Sequence, residues 1–218
     1  MPDIKIITHQ LGPIETNCYF AINQETGEVL IIDPASNADF ILEKCEELKI
    51  KPKAILLTHG HYDHTGAVGE LKEKLNLPVY AGTDEKVILS EPAINGTFLF
   101  TSESMRRGSK PVEADMWLLD NEMFEPAGFP VRVISTPGHT AGGVCYYIAE
   151  KNVLFSGDVL FADSFGRTDL PTGNSKQLVN SIINRLFILP EETKVYPGHG
   201  DSTTIGKEKN NNPIYRYM

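Results

Sequence analysis

Residues 58–66 read Thr58-His59-Gly60-His61-Tyr62-Asp63-His64-Thr65-Gly66, so three of the chain's six histidines fall within six positions. Core packing explains such a cluster poorly, because a buried imidazole needs hydrogen-bond partners. His59 and His61 are one residue apart and project the same way from extended backbone, where side chains alternate with period two. Asp63 and His64 face another direction as the chain turns. Imidazoles suit divalent transition metals, and a carboxylate adds compensating charge.

Reading outward, the apolar run Ala54–Leu57 ends in this stretch and is expected to be a buried strand. Thr65–Leu75, with Val68, Leu71 and Leu75 on one side, reads as the helix that follows. Before the cluster lie strand-like segments at 4–8, 18–22 and 29–32, the last two around a hairpin loop at 23–27. A helix over 37–48 carries Phe40, Ile41, Cys45 and Leu48, and a short strand follows at Val79-Tyr80. In the second half, Val131–Ile134 leads to Ser135-Thr136-Pro137-Gly138-His139-Thr140. Val144–Ala149 and Val153–Ser156 form a hairpin whose second strand runs into Gly157-Asp158. Gln177–Leu186 reads as a helix, and Lys194–Tyr196 as a strand ending at Pro197-Gly198-His199-Gly200.

Four strand-to-loop junctions therefore carry a His or Asp: His59 onward, His139, Asp158 and His199. In sheets with helical crossovers, ligand sites collect beyond the strand ends, so these four can converge on one point. Residues 85–116 are weakly patterned and read as a surface excursion of a length common in lids and binding loops. Within it, Phe98 and Phe100 could line a pocket mouth, and Arg106-Arg107 reads as a solvated turn. The polar tail beyond Gly206 is expected to pack only in part.

The 218 residues are 41% apolar and 22% charged, the composition of one globular domain. A formal charge of −9 disfavours nucleic-acid and anionic-membrane partners, which need a basic face. No signal-peptide core or membrane-length apolar run stands out, and Cys18, Cys45 and Cys145 are scattered and odd in number. A cytoplasmic protein with cysteines as small buried hydrophobes is expected. His9 lies outside every motif and reads as a packed histidine.

Thr58–Gly66 resembles the T-H-x-H-x-D-H-x-x-G signature of the metallo-β-lactamase superfamily. Pro137-Gly138-His139-Thr140, Ser156-Gly157-Asp158 and Pro197-Gly198-His199 follow in that family's order, across roughly Asn17 to Asn212. Gly166-Arg167-Thr168-Asp169 is similar to the hydroxyacylglutathione hydrolase (glyoxalase II) branch, and the ending around Gly198-His199-Gly200 resembles its short bacterial members. The resemblance implies a four-layer αβ/βα sandwich as a single domain over 1–218, without the helical C-terminal extension by which long members grip glutathione. It implies two divalent metal ions, zinc first, with iron and manganese open. His59, His61 and His139 would hold one, Asp63, His64 and His199 the other, and Asp158 would bridge them. Asp63 and Asp158 carry the catalytic roles, and Arg167 is a candidate contact for a substrate carboxylate or else a structural partner of Asp169. Asn17 and Tyr19 match the branch's N-C-Y segment, expected to be structural.

The activity implied is hydrolysis of a small thioester or related ester by metal-bound hydroxide. A persulfide dioxygenase with one iron on His59, His139 and Asp158 is the main alternative, but its relatives carry Pro-Ala-His where this chain has Pro197-Gly198-His199. A lactonase would use the same hydrolytic step. A non-catalytic binding module has no need of the full ligand set. Flavodiiron-type oxygen reductases carry Glu at the position of His61, a tRNA-processing nuclease would need a basic arm, and β-lactamases are usually secreted.

Overall fold

Strands from the first half of the chain lie side by side in chain order. In the computed structural model, which describes residues 2–96 and 111–217, β1 (Ile4–Leu11), β2 (Thr16–Asn23), β3 (Glu28–Ile32), β4 (Lys51–Leu56), β5 (Val79–Gly82) and β6 (Met116–Leu118) form one six-stranded sheet. The second half builds another six-stranded sheet from β7 (Met123–Phe124), β8 (Val131–Ser135), β9 (Val144–Ile148), β10 (Val153–Gly157), β13 (Lys194–Pro197) and β14 (Thr203–Thr204), ordered β14-β13-β10-β9-β8-β7. A small ribbon, β11 (Leu160–Phe161) with β12 (Ser164–Phe165), follows β10.

Period-two alternation sorts the strand residues into three apolar layers. On β3, Val29 and Ile31 face outward to α1 (Ala38–Glu47) and α3 (Val68–Leu75), meeting Ile41, Cys45, Val68 and Leu71. Leu30 and Ile32 point inward against Val131, Val133, Tyr146 and Phe155 of the opposing sheet. On the outer face of the second sheet, Cys145, Tyr147, Leu154 and Val195 pack against Leu178 of α5 (Ser175–Ser181) and Ile205 of α6 (Ile205–Asn211). Each large apolar side chain so buried contributes about 1.5–3 kcal/mol. The result is the expected helix–sheet–sheet–helix sandwich. All three cysteines are free and buried, and His9 packs edge-on between Phe20 and Phe40 at centroid distances of 5.1 and 5.2 Å.

Several elements differ from the sequence reading. The helix expected over 65–75 starts earlier, as α2 (Tyr62–Thr65), and breaks before α3, where the Ala67 N–H bonds the Pro34 carbonyl. The helix expected at 177–186 begins at Ser175, capped by the Asn174 side chain, and widens into a π turn over Ile182–Leu186. The tail packs in part, as expected: Glu208, Asn212 and Ile214 are buried, while Lys207, Lys209, Asn210, Asn211 and Tyr215 are exposed. It forms α6 and a closing 3₁₀ turn, with Ile214 fully buried. Its buried polar groups satisfy one another: Glu208 accepts from Thr203 Oγ1 at 2.6 Å, and the Asn212 amide donates to Glu208 and the Ser164 carbonyl, both at 2.8 Å. The start of the expected excursion is a 3₁₀ turn at Thr83–Glu85 and α4 (Lys86–Ser90), both tied into the body. Phe98, Phe100, Arg106 and Arg107 lie outside the described residues. Among the described residues, no helix is long and apolar enough to cross a membrane.

Strand direction places the site. β3 and β4 are parallel, as are β10 and β13, and β8 runs the same way as β10, two antiparallel steps across the sheet. Their C-terminal ends therefore share one edge of the sandwich.

Candidate metal centre

Five of the seven expected residues leave a strand at that edge. His59 and His61 follow β4, His139 follows β8, Asp158 follows β10 and His199 follows β13. Asp63 and His64 sit on the single turn of α2. The ligand-type atoms of His59, His61 and His139 lie within 4.8 Å of one another, and so do those of Asp63, His64 and His199. Asp158 stands between the two groups. Its Oδ2 is 3.6 Å from His139 Nε2 and 3.5 Å from His199 Nε2, and its Oδ1 is 3.4 Å from His64 Nε2. All seven residues expected to meet do meet. His59, His61, His64 and His139 are buried, whereas the His199 side chain is 27% exposed, so the centre opens to solvent on that side.

Hydrogen bonds aim the imidazoles. His139 Nδ1–H donates to the Arg167 carbonyl at 2.8 Å, which leaves Nε2 as a lone pair 2.9 Å from His61 Nδ1. Two lone pairs so close repel unless a proton or a cation is shared, and His61 Nδ1 and His139 Nε2 would both be available to hold a metal. His64 Nδ1–H donates to Asp33 Oδ2 at 2.9 Å. The Thr58 hydroxyl donates to the same oxygen at 2.6 Å, and its own oxygen takes His59 Nδ1–H at 3.0 Å. Asp33 thus orients one histidine of each group. This carboxylate–histidine arrangement is what metal-binding imidazoles ordinarily show. Thr16 Oγ1 donates to Asp63 Oδ2 at 3.1 Å and steadies it.

Charge separates the roles further. Burial first, then the neighbouring histidines, hold His59 well below its usual pKa, and His61 is pushed down to about 3 for the same reasons. Both imidazoles are therefore neutral. Burial opposes ionisation of Asp63 and Asp158, but the charge of His64 and the other histidines close by outweighs it: Asp63 sits well below the usual range and Asp158 at about 2. Burial would depress His64, yet Asp63, Asp158 and Asp33 raise it well above its usual value. The carboxylates so demand a positive charge at this point. Among the described residues, His59 Nε2, His64 Nε2 and Asp158 Oδ1 are buried without a hydrogen-bond partner. Such atoms are costly to leave unsatisfied, and their convergence fits a pair of cations.

The sequence admits Arg167 as a substrate contact or as a structural partner of Asp169. Its guanidinium pairs with Asp169 through two 2.7 Å hydrogen bonds and is largely exposed, while its carbonyl orients His139. Asn17 and Tyr19 hold the His199 loop: the Asn17 amide donates to the Pro197 and Gly200 carbonyls at 3.0 and 2.9 Å, and the Tyr19 hydroxyl to Pro197 at 2.6 Å.

Two participants escaped the sequence reading. Asp33 ends β3 just as His59 follows β4, so a fifth strand end carrying a carboxylate was its available signal. Glu85 is fully buried beside the centre, where its carboxylate accepts from the Gly60 and Gly142 N–H groups and the Thr140 hydroxyl. It falls in the stretch read as a surface excursion, and no pattern marked it.

Known proteins share this plan. The family model of the metallo-β-lactamase superfamily matches residues 11–199. The chain is 38% identical to the probable metallo-hydrolase YqgX of Bacillus subtilis, over 94% of each chain. It is 36% identical to the hydroxyacylglutathione hydrolase GloC of Haemophilus influenzae, over 92% of each. Among solved structures, BLEG-1, described as a B3 metallo-β-lactamase, superposes with a TM-score of 0.88 at 41% identity, covering 96% of this chain and 99% of the other. TTHA1623 in a di-iron-bound form superposes at 0.82 with 35% identity, covering 95% and 99%. The motif order, the sandwich, the His/Asp cluster at its edge and these likenesses agree: the chain belongs to the metallo-β-lactamase superfamily and is a metallo-hydrolase with a cluster suited to two metals.

Proposed function

We propose that this metallo-hydrolase cleaves small thioesters, of the S-acylglutathione kind or a related thiol ester. The observation that carries the reading is the two-group cluster with Asp158 between its halves, open to solvent on the His199 side. His59, His61 and His139 would hold one ion, Asp63, His64 and His199 the other, and Asp158 would bridge. When bound, two divalent cations lower the pKa of a shared water toward neutrality and stabilise negative charge on a carbonyl oxygen. Zinc, iron and manganese all suit such donors, and the di-iron form of a relative supports iron as strongly as the donor set supports zinc.

The chain's own residues do the positioning. Asp63, held ionised, orients the nucleophilic water or accepts its proton. His61 and His59, held neutral, stay available as ligands. The exposed His199 side is the approach for the acyl group, and the Arg167 guanidinium is proposed as a contact for a substrate carboxylate. Likeness to the hydroxyacylglutathione hydrolase GloC supports the thioester.

Gly198 supports two ions rather than one. A Cβ at this position would collide with Asp158 Oδ1 and lie 2.6 Å from His64 Cε1. The Pro-Ala-His of persulfide dioxygenase relatives would therefore disturb the bridge and the second group.

The test is hydrolysis of S-lactoylglutathione by protein loaded separately with zinc, iron and manganese, each beside a chelated control. Metal-dependent turnover with kcat/KM above about 10⁴ M⁻¹s⁻¹, the low end of ordinary enzymes, is expected. Absence of turnover in every metal form would sink the glutathione thioester. A second reading, hydrolysis of a β-lactam amide, is favoured by the 41% identity to BLEG-1. A chromogenic cephalosporin turned over faster than the thioester by the same preparations would put it first.

A further inference from the structure

We propose that Glu85 is a positioning residue that fixes the spacing between the His59–His61 loop and His139, and through it the affinity of the first metal position. The inference rests on the reading of His59, His61 and His139 as metal ligands.

Glu85 belongs to the 3₁₀ turn after β5 and has no solvent exposure. Its Oε2 accepts the Gly60 N–H at 2.7 Å, and Gly60 lies between His59 and His61. Its Oε1 accepts the Gly142 N–H at 3.0 Å and the hydroxyl of Thr140, the residue after His139. One loop leaves the first sheet and the other leaves the second. A single carboxylate therefore bolts together the two loops that must converge on one ion. His61 Nδ1 and His139 Nε2 are held 2.9 Å apart just beyond this bolt.

The surroundings are shaped to this contact. A Cβ on residue 60 would lie 2.9 Å from Glu85 Oε2 and 2.8 Å from Ile88 Cγ2, so only glycine lets the backbone approach the carboxylate. A carboxylate is an expensive group to bury, and this one is kept by three donors that all come from the ligand loops. Filling the space alone would call for an apolar side chain. Glutamine has the same shape, but either orientation of its amide turns an NH₂ toward a backbone N–H. It must lose the Gly60 contact in one orientation or the Gly142 contact in the other, where the Thr140 hydroxyl would turn to accept from the amide.

The experiment uses the full chain stripped of metal and titrated with Co²⁺ against a chromophoric chelator, with the d–d absorption recorded. Wild type, Glu85→Gln, Thr140→Val and Thr140→Ser are compared. The same changes are repeated with His199→Ala, which weakens the other group. Glu85→Gln is expected to weaken one of the two ions about 10- to 100-fold, the effect usual for groups that orient metal ligands, and to shift its d–d band. The weakened ion should be the one that survives in the His199→Ala background. Thr140→Val should weaken the same ion less, and Thr140→Ser should restore it.

Wild-type affinities and spectra in both Glu85→Gln and Thr140→Val would overturn the inference. So would a parallel loss of both ions together with a lowered melting temperature of the metal-free protein, the mark of general loosening. Should Glu85→Gln fail to fold, the Thr140 pair decides. Absence of defined Co²⁺ binding by wild type would instead overturn the metal-centre reading and this inference with it.

Discussion

The carboxylate of Asp33 accepts Nδ1–H of His64 at 2.9 Å, with both residues buried. The same Oδ2 takes the Thr58 hydroxyl, whose oxygen receives His59 Nδ1–H. One carboxylate at the end of β3 therefore fixes the tautomer of an imidazole in each metal group. Its oxygens are occupied by these donors and by the Thr58 N–H at 2.8 Å, which makes it an orienting group rather than a ligand. Asp33→Asn presents an NH₂ to one of these donors. Affinity for the ion held by His64 should fall about 10- to 100-fold. A chelator-competition titration checks this, and unchanged affinity would remove Asp33 from the metal centre.

Asp158 stands between the two groups, near His139, His64 and His199. Asp158→Ala should lower kcat by at least about 1000-fold, the equivalent of roughly 4 kcal/mol of transition-state stabilisation. The fold should persist, because the residue lies in a loop beyond β10 and not in any of the three apolar layers. Activity is read beside a circular dichroism spectrum. Retained turnover in metal-loaded Asp158→Ala protein would end the bridging role.

Gly198→Ala tests how many ions the edge can hold. The added methyl would meet Asp158 Oδ1 and His64 Cε1. Elemental analysis after dialysis should give close to one bound ion per chain where wild type gives two. Two tightly bound ions in the variant would show that both side chains move aside easily.

Arg167→Ala separates the two parts of that residue. The carbonyl that orients His139 is kept, and only the guanidinium paired with Asp169 is lost. If the side chain contacts substrate, KM should rise several-fold with kcat nearly unchanged, the pattern of lost uniform binding. An unaltered KM would assign the side chain to its pair with Asp169.

Glu85 gives the metal-free protein a definite pH dependence. Burial first, against the pull of Thr140, Gly60 and Gly142, pushes its carboxyl from 4.5 up to about 7. The folded state then binds more protons than the unfolded one between these values, so stability falls as pH rises through that window. The full loss is about 3 kcal/mol at 1.36 kcal/mol per pKa unit. Urea titrations of metal-free wild type and Glu85→Gln should show the wild-type advantage shrinking from about pH 4.5 to about pH 7. A difference that stays flat across the window would mean that Glu85 ionises normally.

Much of this protein is legible along the chain. Local apolar periodicity marked most of the strands and the long helices, because burial of one face imposes a period that neighbouring residues must share. His59, His61, His139, Asp158 and His199 were legible because each follows a strand and is of a metal-binding type, and the family resemblance added Asp63 and His64 on α2. What periodicity could not show was any partner brought in from far away. The C-terminal tail looked solvated, yet Glu208 and Asn212 satisfy each other inside and carry Ile214 into the core. Asp33 meets His64 from 31 residues away, and Glu85 meets Gly60 and Gly142 from 25 and 57 residues away. A lone carboxylate carries no periodic signal, and its meaning depends on which donors the two sheets bring to it. The sequence by itself determined the apolar pattern of the strands and which histidines and aspartates stand beyond them. The packing of one sheet on the other decided how those side chains meet and are held, because only that packing brings the ends of β3, β4, β8, β10 and β13 to one edge.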